Sequence, residues 1–387
     1  MAKPTGDPAL IKQINTSIVL ECILQYAPLS RAAIAQKTGL NKATVSSLVQ
    51  DLIDRQLVLE VGAGASSGGR KPVMLMFNSR AGFAIGIDVG VNYLRSILTD
   101  LDGTMLQQLH HPVIDCRHDA VITAISECID QFKQQAPDSP YGIIGIGVGV
   151  PGIVNEEGTV VFAPNMGWSQ VELKHALEKL YQLPVMIDNE ANAGALGEHI
   201  YGAGRPYRDQ IYVSAGIGIG TGIVLHNKLY KGSSGFSGEL GHLSIQFDGR
   251  SCSCGNQGCW ELYASEHALL EAGAAYGYHD IHAMLQAAEQ NKPHMRELFH
   301  DIGTYLGIGI ANIANIFNPE AVIIGNRMSL AAEWIRPAIE QAVSQRTLRF
   351  HHKRLLIQFA ELGEQSAVRG AAYYAIEAFW TEVKSGH

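Results

Sequence analysis

No apolar run in the 387 residues reaches the ~18 needed to cross a membrane, and the N-terminus has no apolar stretch of the secretory kind. These absences lead to the expectation of a cytoplasmic protein without membrane insertion. Cysteine is scarce: there are six, and three of them crowd between Cys252 and Cys259. Thiols clustered in this way fit metal ligation in a reducing compartment better than a disulfide framework. Charge is also sparse, at 17%, and the net charge of −8 argues against nucleic acid as a partner of the chain as a whole. The deficit is uneven. Residues 1–80 hold nine Lys/Arg against five Asp/Glu, a net +4, which leaves −12 on residues 81–387. A small basic head on an acidic body points to a nucleic-acid module attached to something else. The length allows two or three domains, and the 41 glycines suit the turns of an α/β protein.

In the head, Asn15–Tyr26 reads as a helix with Ile18, Val19, Cys22 and Ile23 on one face, ended by Pro28. Ser30 is placed to N-cap a second helix, Arg31–Thr38, which Gly39 stops. Asn41 is placed to N-cap a third, where Val45, Leu48, Val49, Leu52 and Ile53 recur at helical spacing. Two short helices joined by a glycine turn form the helix-turn-helix pattern, whose second helix enters the major groove. Around its start and along its non-core face, Asn41, Lys42, Thr44, Ser46, Ser47 and Gln50 offer polar groups for bases and a cation for phosphate. Leu57–Val61 and Val73–Phe77 read as the strands of a wing, and its glycine-rich tip carries Arg70 and Lys71 towards a minor groove. A protein-interaction module is the plainer alternative, and the basic wing weighs against it.

The densest chemistry runs from Gly238 to Glu261. His242 precedes Cys252, Cys254 and Cys259, a Cys3His set of the kind tetrahedral zinc selects. Four protein ligands leave no open position, so the expected Zn2+ is structural. A Cys252–Cys254 disulfide would be strained by its single intervening residue, whereas buried structural cysteines remain a bland alternative. Glu239 and Glu261 flank the set. Fixed by a metal knot, they would be rigid acceptors for adjacent sugar hydroxyls; on a free loop they would be solvated charges.

Beyond the head, apolar runs at Phe83–Val89, Ile143–Val150, Val185–Asp188, Gln210–Ser214, Ala321–Ile324 and about 355–359 read as strands. Helices are expected near 118–135, 169–181, 191–200, 265–276, 280–289, 294–317, 329–345 and 370–383. Two α/β halves with a ligand cleft between them is the coarse architecture.

From Ile14 onward the chain resembles the ROK family of sugar kinases and transcriptional repressors. Pro164-Asn-Met-Gly-Trp168, the run Asn189-Glu-Ala-Asn-Ala-Gly-Ala-Leu-Gly-Glu198, Gly235-Phe-Ser-Gly-Glu-Leu-Gly-His242 and the cysteine motif carry the resemblance. Within that family it is most similar to the xylose repressors of Gram-positive bacteria. The resemblance implies a winged helix-turn-helix (1–80) followed by a two-lobed, actin-like, ribonuclease-H-like ROK domain. Lobe 1 would cover 81–198, completed by a C-terminal helix at 366–387, and lobe 2 would cover 199–365 with the zinc site. It further implies a homodimer that leaves a palindromic operator when sugar, D-xylose in the nearest group, binds. By family pattern Asn165, Asn189, Glu190, Glu239, His242 and Glu261 would contact the sugar, and Trp168 would wall the pocket or fill the core.

Three departures separate this chain from the family's kinases, so no catalytic residue is expected. The phosphate turn, usually D-x-G-G-T, reads Asp88-Val-Gly90-Val91-Asn92, and a β-branched valine hinders backbone approach to phosphate. The second loop has Ile217 where a threonine would donate to phosphate; its glycine ladder, Gly216 to Gly222, reads equally as close strand–helix packing. Glu190 replaces the catalytic aspartate, and an extra methylene shifts a carboxylate by ~1 Å, worth about 10²-fold. A ROK kinase with a DNA-binding head and a protein-sensing module are the competing functions.

Overall fold

The computed structural model describes residues 8–63 and 71–385. The wing tip, including Arg70, lies outside the described residues. In the head, Ser30 Oγ accepts from the Ala33 amide at 3.2 Å and begins the helix Arg31–Thr38. Gly39 ends that helix in the left-handed region, φ 72°. Asn41 Oδ1 accepts from the Thr44 amide at 2.7 Å and starts the helix Lys42–Asp54, which buries Val45, Leu48, Val49 and Leu52. The first helix begins earlier than Asn15, at Pro8, and runs to Tyr26. Strands Val58–Ala63 and Val73–Phe77 pair antiparallel, and Leu29–Ser30 adds a short third strand.

The body holds two five-stranded sheets on one plan. In the first, Phe83–Val89, Tyr93–Asp100 and Met105–Pro112 form an antiparallel meander, and Ile143–Val150 and Val185–Asn189 join parallel on the other side. In the second, Gln210–Ala215, Ile219–Leu225 and Lys228–Leu229 repeat the meander, and Ala321–Gly325 and Leu356–Phe359 repeat the parallel pair. Every residue of Phe83–Val89 and of Gln210–Ala215 is buried, as expected for strands covered on both faces. The helices Glu190–Tyr201 and Ser366–Ser385 pack on each other, the first reaching the second sheet and the second lying across the first sheet.

One expectation needs correction. The segment expected as a helix from 169 divides into the strand Trp168–Val171 and the helix Leu173–Tyr181. Backbone pairing explains the change: Trp168, Ser169 and Val171 pair with Val160–Ala163, and Ile153–Val154 completes a small antiparallel sheet that periodicity did not reveal. Trp168 is buried and its Nε1 donates to the Cys116 carbonyl at 2.6 Å, so its indole belongs to the core. The terminal helix is described to Ser385, with 386–387 outside the described residues.

Head and body share a core. Val19, Leu20, Ile23, Leu52, Leu57 and Leu75 of the head pack in one cluster with Ile144, Ile376, Phe379, Trp380 and Val383. Burying each large apolar side chain contributes about 2–3 kcal/mol, so the head is joined to the terminal helix by far more than a linker.

Candidate ligand cleft and metal centre

The strand Val185–Asn189 delivers two cleft residues at the start of a helix. Asn189 N-caps it: its Oδ1 accepts from Ala191 at 2.8 Å and Asn192 at 3.3 Å, and its Nδ2 donates to the Gly152 carbonyl at 2.7 Å. That leaves one amide hydrogen free for a ligand. Glu190 follows as the first helical residue, with Ser214 Oγ 2.9 and 3.1 Å from its two carboxylate oxygens. Ser214 in turn accepts from Asn326 Nδ2 at 3.0 Å, so Glu190 is held across the two halves of the body. Burial raises its pKa, opposed by Ser214 and Arg95.

The Cys3His set lies in the second half of the body. The ligand atoms of His242, Cys252, Cys254 and Cys259 all lie within 4.8 Å of one another. Cys254 and Cys259 sulfurs are 3.7 Å apart, and Cys252 Sγ is 3.7 Å from His242 Nδ1. A tetrahedral zinc with Zn–S of ~2.3 Å has sulfur–sulfur edges of ~3.8 Å, so the donor set and its spacing fit the ion. Gly258, at φ 70°, presses against the Gln246 carbonyl where a Cβ would clash. Trp260, fully buried with Nε1 on the Tyr305 carbonyl at 2.9 Å, anchors the knot in the second-half core.

The anchoring aims three groups. His242 Nδ1 faces the cysteines and lies 3.3 Å from Glu261 Oε1, while Nε2 lies 3.9 Å from Glu239 Oε2. Burial raises the pKa of Glu239, His242 opposing and Glu261 adding to the rise. The structure therefore gathers Glu239, His242 and Glu261 in one place and holds Glu190 from the other half; Asn165 stands exposed in a turn after the strand Val160–Ala163.

The phosphate turn is filled from within. The Tyr93 ring lies on Gly90 where a Cβ would have to come, and Arg95 stacks on that ring at 4.1 Å. Sequence reasoning missed this pair, although an aromatic three residues past a phosphate-turn glycine was a readable signal. The glycine ladder resolves as packing: Gly222 presses on Ala191 and Ala195 of the helix Glu190–Tyr201.

Below that ring lies Asp88, 1% exposed, with Oδ1 lacking a partner and Arg95 Nη1 3.8 Å from Oδ2. Burial, with Glu190 adding, pushes Asp88 up to about 8 against the pull of Arg95 and a Tyr93 hydrogen bond. The folded state then binds a proton that the unfolded chain releases, so its stability falls as pH rises from the ordinary 3.8 towards about 8. Asp88→Asn should make that slope shallower, the buried Glu190 and Glu239 keeping the remainder. Urea unfolding at several pH values between these limits checks it, and an unchanged slope would refute the assignment.

On the head, Asn41, Lys42, Ser46, Ser47 and Gln50 are exposed along one helix, Thr44 is partly so, and Lys71 is exposed at the wing. Gln50 Nε2 donates to Asp54 at 2.9 Å, and Asn41 Oδ1 is committed to the cap.

Residues 84–378 match the ROK family, and residues 17–62 match the IclR helix-turn-helix domain. This chain belongs to the ROK family. It is 42% identical to the xylose repressor of Bacillus spizizenii over 98% of this chain and 99% of that one. It is 30% identical to the DNA-binding transcriptional dual regulator NagC of Escherichia coli, over 94% of this chain and 92% of NagC. A solved ROK family transcriptional regulator, a homologue of the Escherichia coli MLC protein, superposes with a TM-score of 0.82 at 29% identity, over 97% of this chain and 99% of that one. A ROK family glucokinase from Streptomyces griseus, solved with glucose and AMPPNP, gives 0.68 at 30% identity over 76% of this chain and 100% of its own. The regulator thus accounts for nearly the whole chain, and the kinase for about three quarters of it.

Proposed function

We propose that this ROK protein is a sugar-responsive DNA-binding repressor, and that it acts by binding and release alone. The observation that carries the reading is the common core of head and body: the helix with the exposed polar face suited to a major groove shares one apolar cluster with the terminal helix of the body. Asn165, Asn189, Glu190, Glu239, His242 and Glu261 would receive the sugar hydroxyls, with Nε2 of His242 turned to the ligand. His242 Nδ1 and the three thiolates would hold a structural zinc, which supplies rigidity to Glu239 and Glu261. The resemblance to proteins named xylose repressors makes D-xylose the first sugar to test. A homodimer would match a palindromic operator, with half-sites set by its two-fold axis. Tyr93 on Gly90 weighs against phosphoryl transfer, and a coupled ADP-release assay over a sugar panel should stay at background.

Operator binding followed by fluorescence anisotropy at fixed salt, titrated with D-xylose and then D-glucose, tests the reading. Sugar should weaken operator binding. Glu190→Gln should keep sugar-free operator affinity within about twofold and need at least about tenfold more sugar, because it removes a charged acceptor worth ~1.5–3 kcal/mol. Operator affinity indifferent to every sugar would sink the proposal.

A further inference from the structure

Asp188 lies immediately before the Asn189–Glu190 pair and is almost wholly buried. Its Oδ1 accepts from the Asn189 amide at 2.8 Å and from Asn192 Nδ2 at 3.0 Å. Its Oδ2 accepts from Tyr374 Oη at 2.8 Å and forms an ion pair with Lys231 Nζ at 2.6 Å. The partners on Oδ2 come from separate parts of the fold. Lys231 stands in the loop that leaves the edge strand Lys228–Leu229 of the second sheet, and Tyr374 stands on the terminal helix. Lys231 is the one cation within ion-pair reach of Asp188 among the described residues. A buried carboxylate that loses its cation is strongly disfavoured, so Lys231 and Asp188 tie the two halves of the body together.

The geometry points to Lys231, Asp188 and Tyr374 as positioning residues that couple occupancy of the cleft to the attitude of the DNA-binding head. This rests on the repressor reading above and names the regulation of that site. The loop bearing Lys231 continues to Glu239 and packs against the first half, where Gly235 meets the Val154 carbonyl. A ligand that engages Glu239 and Glu190 together therefore holds Lys231 against Asp188, and Tyr374 shares the same oxygen. From Tyr374 the terminal helix runs unbroken to Ser385; at ~1.5 Å per residue it spans ~13 Å to Val383. Its far end is fastened to the head. Trp380 meets Phe77 edge-on at 5.2 Å, Lys384 pairs with Glu21 at 2.8 Å, and the Val383 carbonyl accepts from Arg55 at 3.5 Å. A shift at Tyr374 is thus delivered to the first helix and the wing of the head, with sugar supplying the energy through its differential affinity for the two arrangements.

Lys231→Met and Tyr374→Phe, singly and combined in the full chain, test the link. The readout is the ratio of operator Kd with D-xylose to that without. Each single variant should keep sugar-free operator affinity within about twofold yet cut the ratio by about fivefold or more, within the usual range of coupling. The double variant should do no worse than either single, since all three residues act through one carboxylate. A ratio unchanged in both singles overturns the link, even if thermal stability falls, because a purely structural role lowers stability and leaves the ratio alone. If the wild-type ratio is already one with D-xylose and with D-glucose, the repressor reading is what fails. Hydrogen exchange without sugar then judges the link: Lys231→Met should speed exchange in the second half of the terminal helix and in Pro8–Tyr26, and unchanged exchange there overturns it.

Discussion

On the proposed zinc reading, stripping the metal from the Cys3His set should free the segment Leu243–Gly258 and remove sugar binding while the rest of the body stays folded. Apart from Cys252 and Gly258 the segment is exposed or half-buried; besides two isolated backbone bridges, Ser244–Cys259 and Ser251–Gln257, it is tied mainly through Arg250, which meets the Tyr263 hydroxyl, the Leu262 carbonyl and Glu271. Structural zinc in comparable donor sets contributes on the order of 10 kcal/mol, more than those contacts can replace. Without a cation, burial and the neighbouring thiols push Cys259 up to about 12, so metal binding must expel protons and will weaken as pH falls. Cys259→Ser should lose tightly bound metal by elemental analysis. Hydrogen exchange should quicken across 243–258 and stay slow in the helix Pro293–Phe317, which Trp260 still contacts. Calorimetry should show sugar affinity falling at least about tenfold, since Glu239 and Glu261 are no longer held. Retained metal-free affinity would mean that the carboxylates are positioned by the core alone.

Glu198→Ala should be the most destabilising single change in the body. This carboxylate is fully buried near the end of the helix Glu190–Tyr201 and gathers four donors, one from Ala203 just beyond the helix and three from the distant stretch 361–366. Oε2 accepts from the amides of Ala203 and Glu361 at 2.9 and 3.1 Å; Oε1 accepts from the Leu362 amide at 3.0 Å and from Ser366 Oγ at 2.6 Å. Its removal strands three backbone amides, while Ser366 Oγ keeps the Gly363 carbonyl at 2.8 Å, a loss on the order of 3–5 kcal/mol. Glu198→Gln should also destabilise, because its NH2 group must face two donors whichever way it turns. Chemical denaturation of both variants measures the effect. A loss below about 1 kcal/mol would show that water or rearranged backbone satisfies the site.

The terminal helix makes these results bear on function. It begins at Glu198, passes Asp188 beside the cleft and ends in the core of the head. Loosening the Glu198 tether should therefore lower stability, and loosening the Asp188 tether should weaken the response of DNA binding to sugar.

What the sequence by itself determined was local. The caps at Ser30, Gly39 and Asn41 are interactions within four residues, so the head's second helix and the start of its third were readable to the residue. Strands such as Phe83–Val89 and Ile143–Val150 follow from continuous apolar runs. The cysteine spacing announced a four-ligand knot, and the motif runs placed the chain among the ROK proteins. Tertiary structure decided what depends on residues far apart. Trp168–Val171 is a strand because Val160–Ala163 offers it backbone partners, a fact that helical periodicity cannot encode. The Tyr93 ring on Gly90, the donors around Glu198 and the Lys231–Asp188–Tyr374 junction bring together groups with no local signature. Their energies come from burial and desolvation, which exist only once the two halves, the terminal helix and the head have closed on one another.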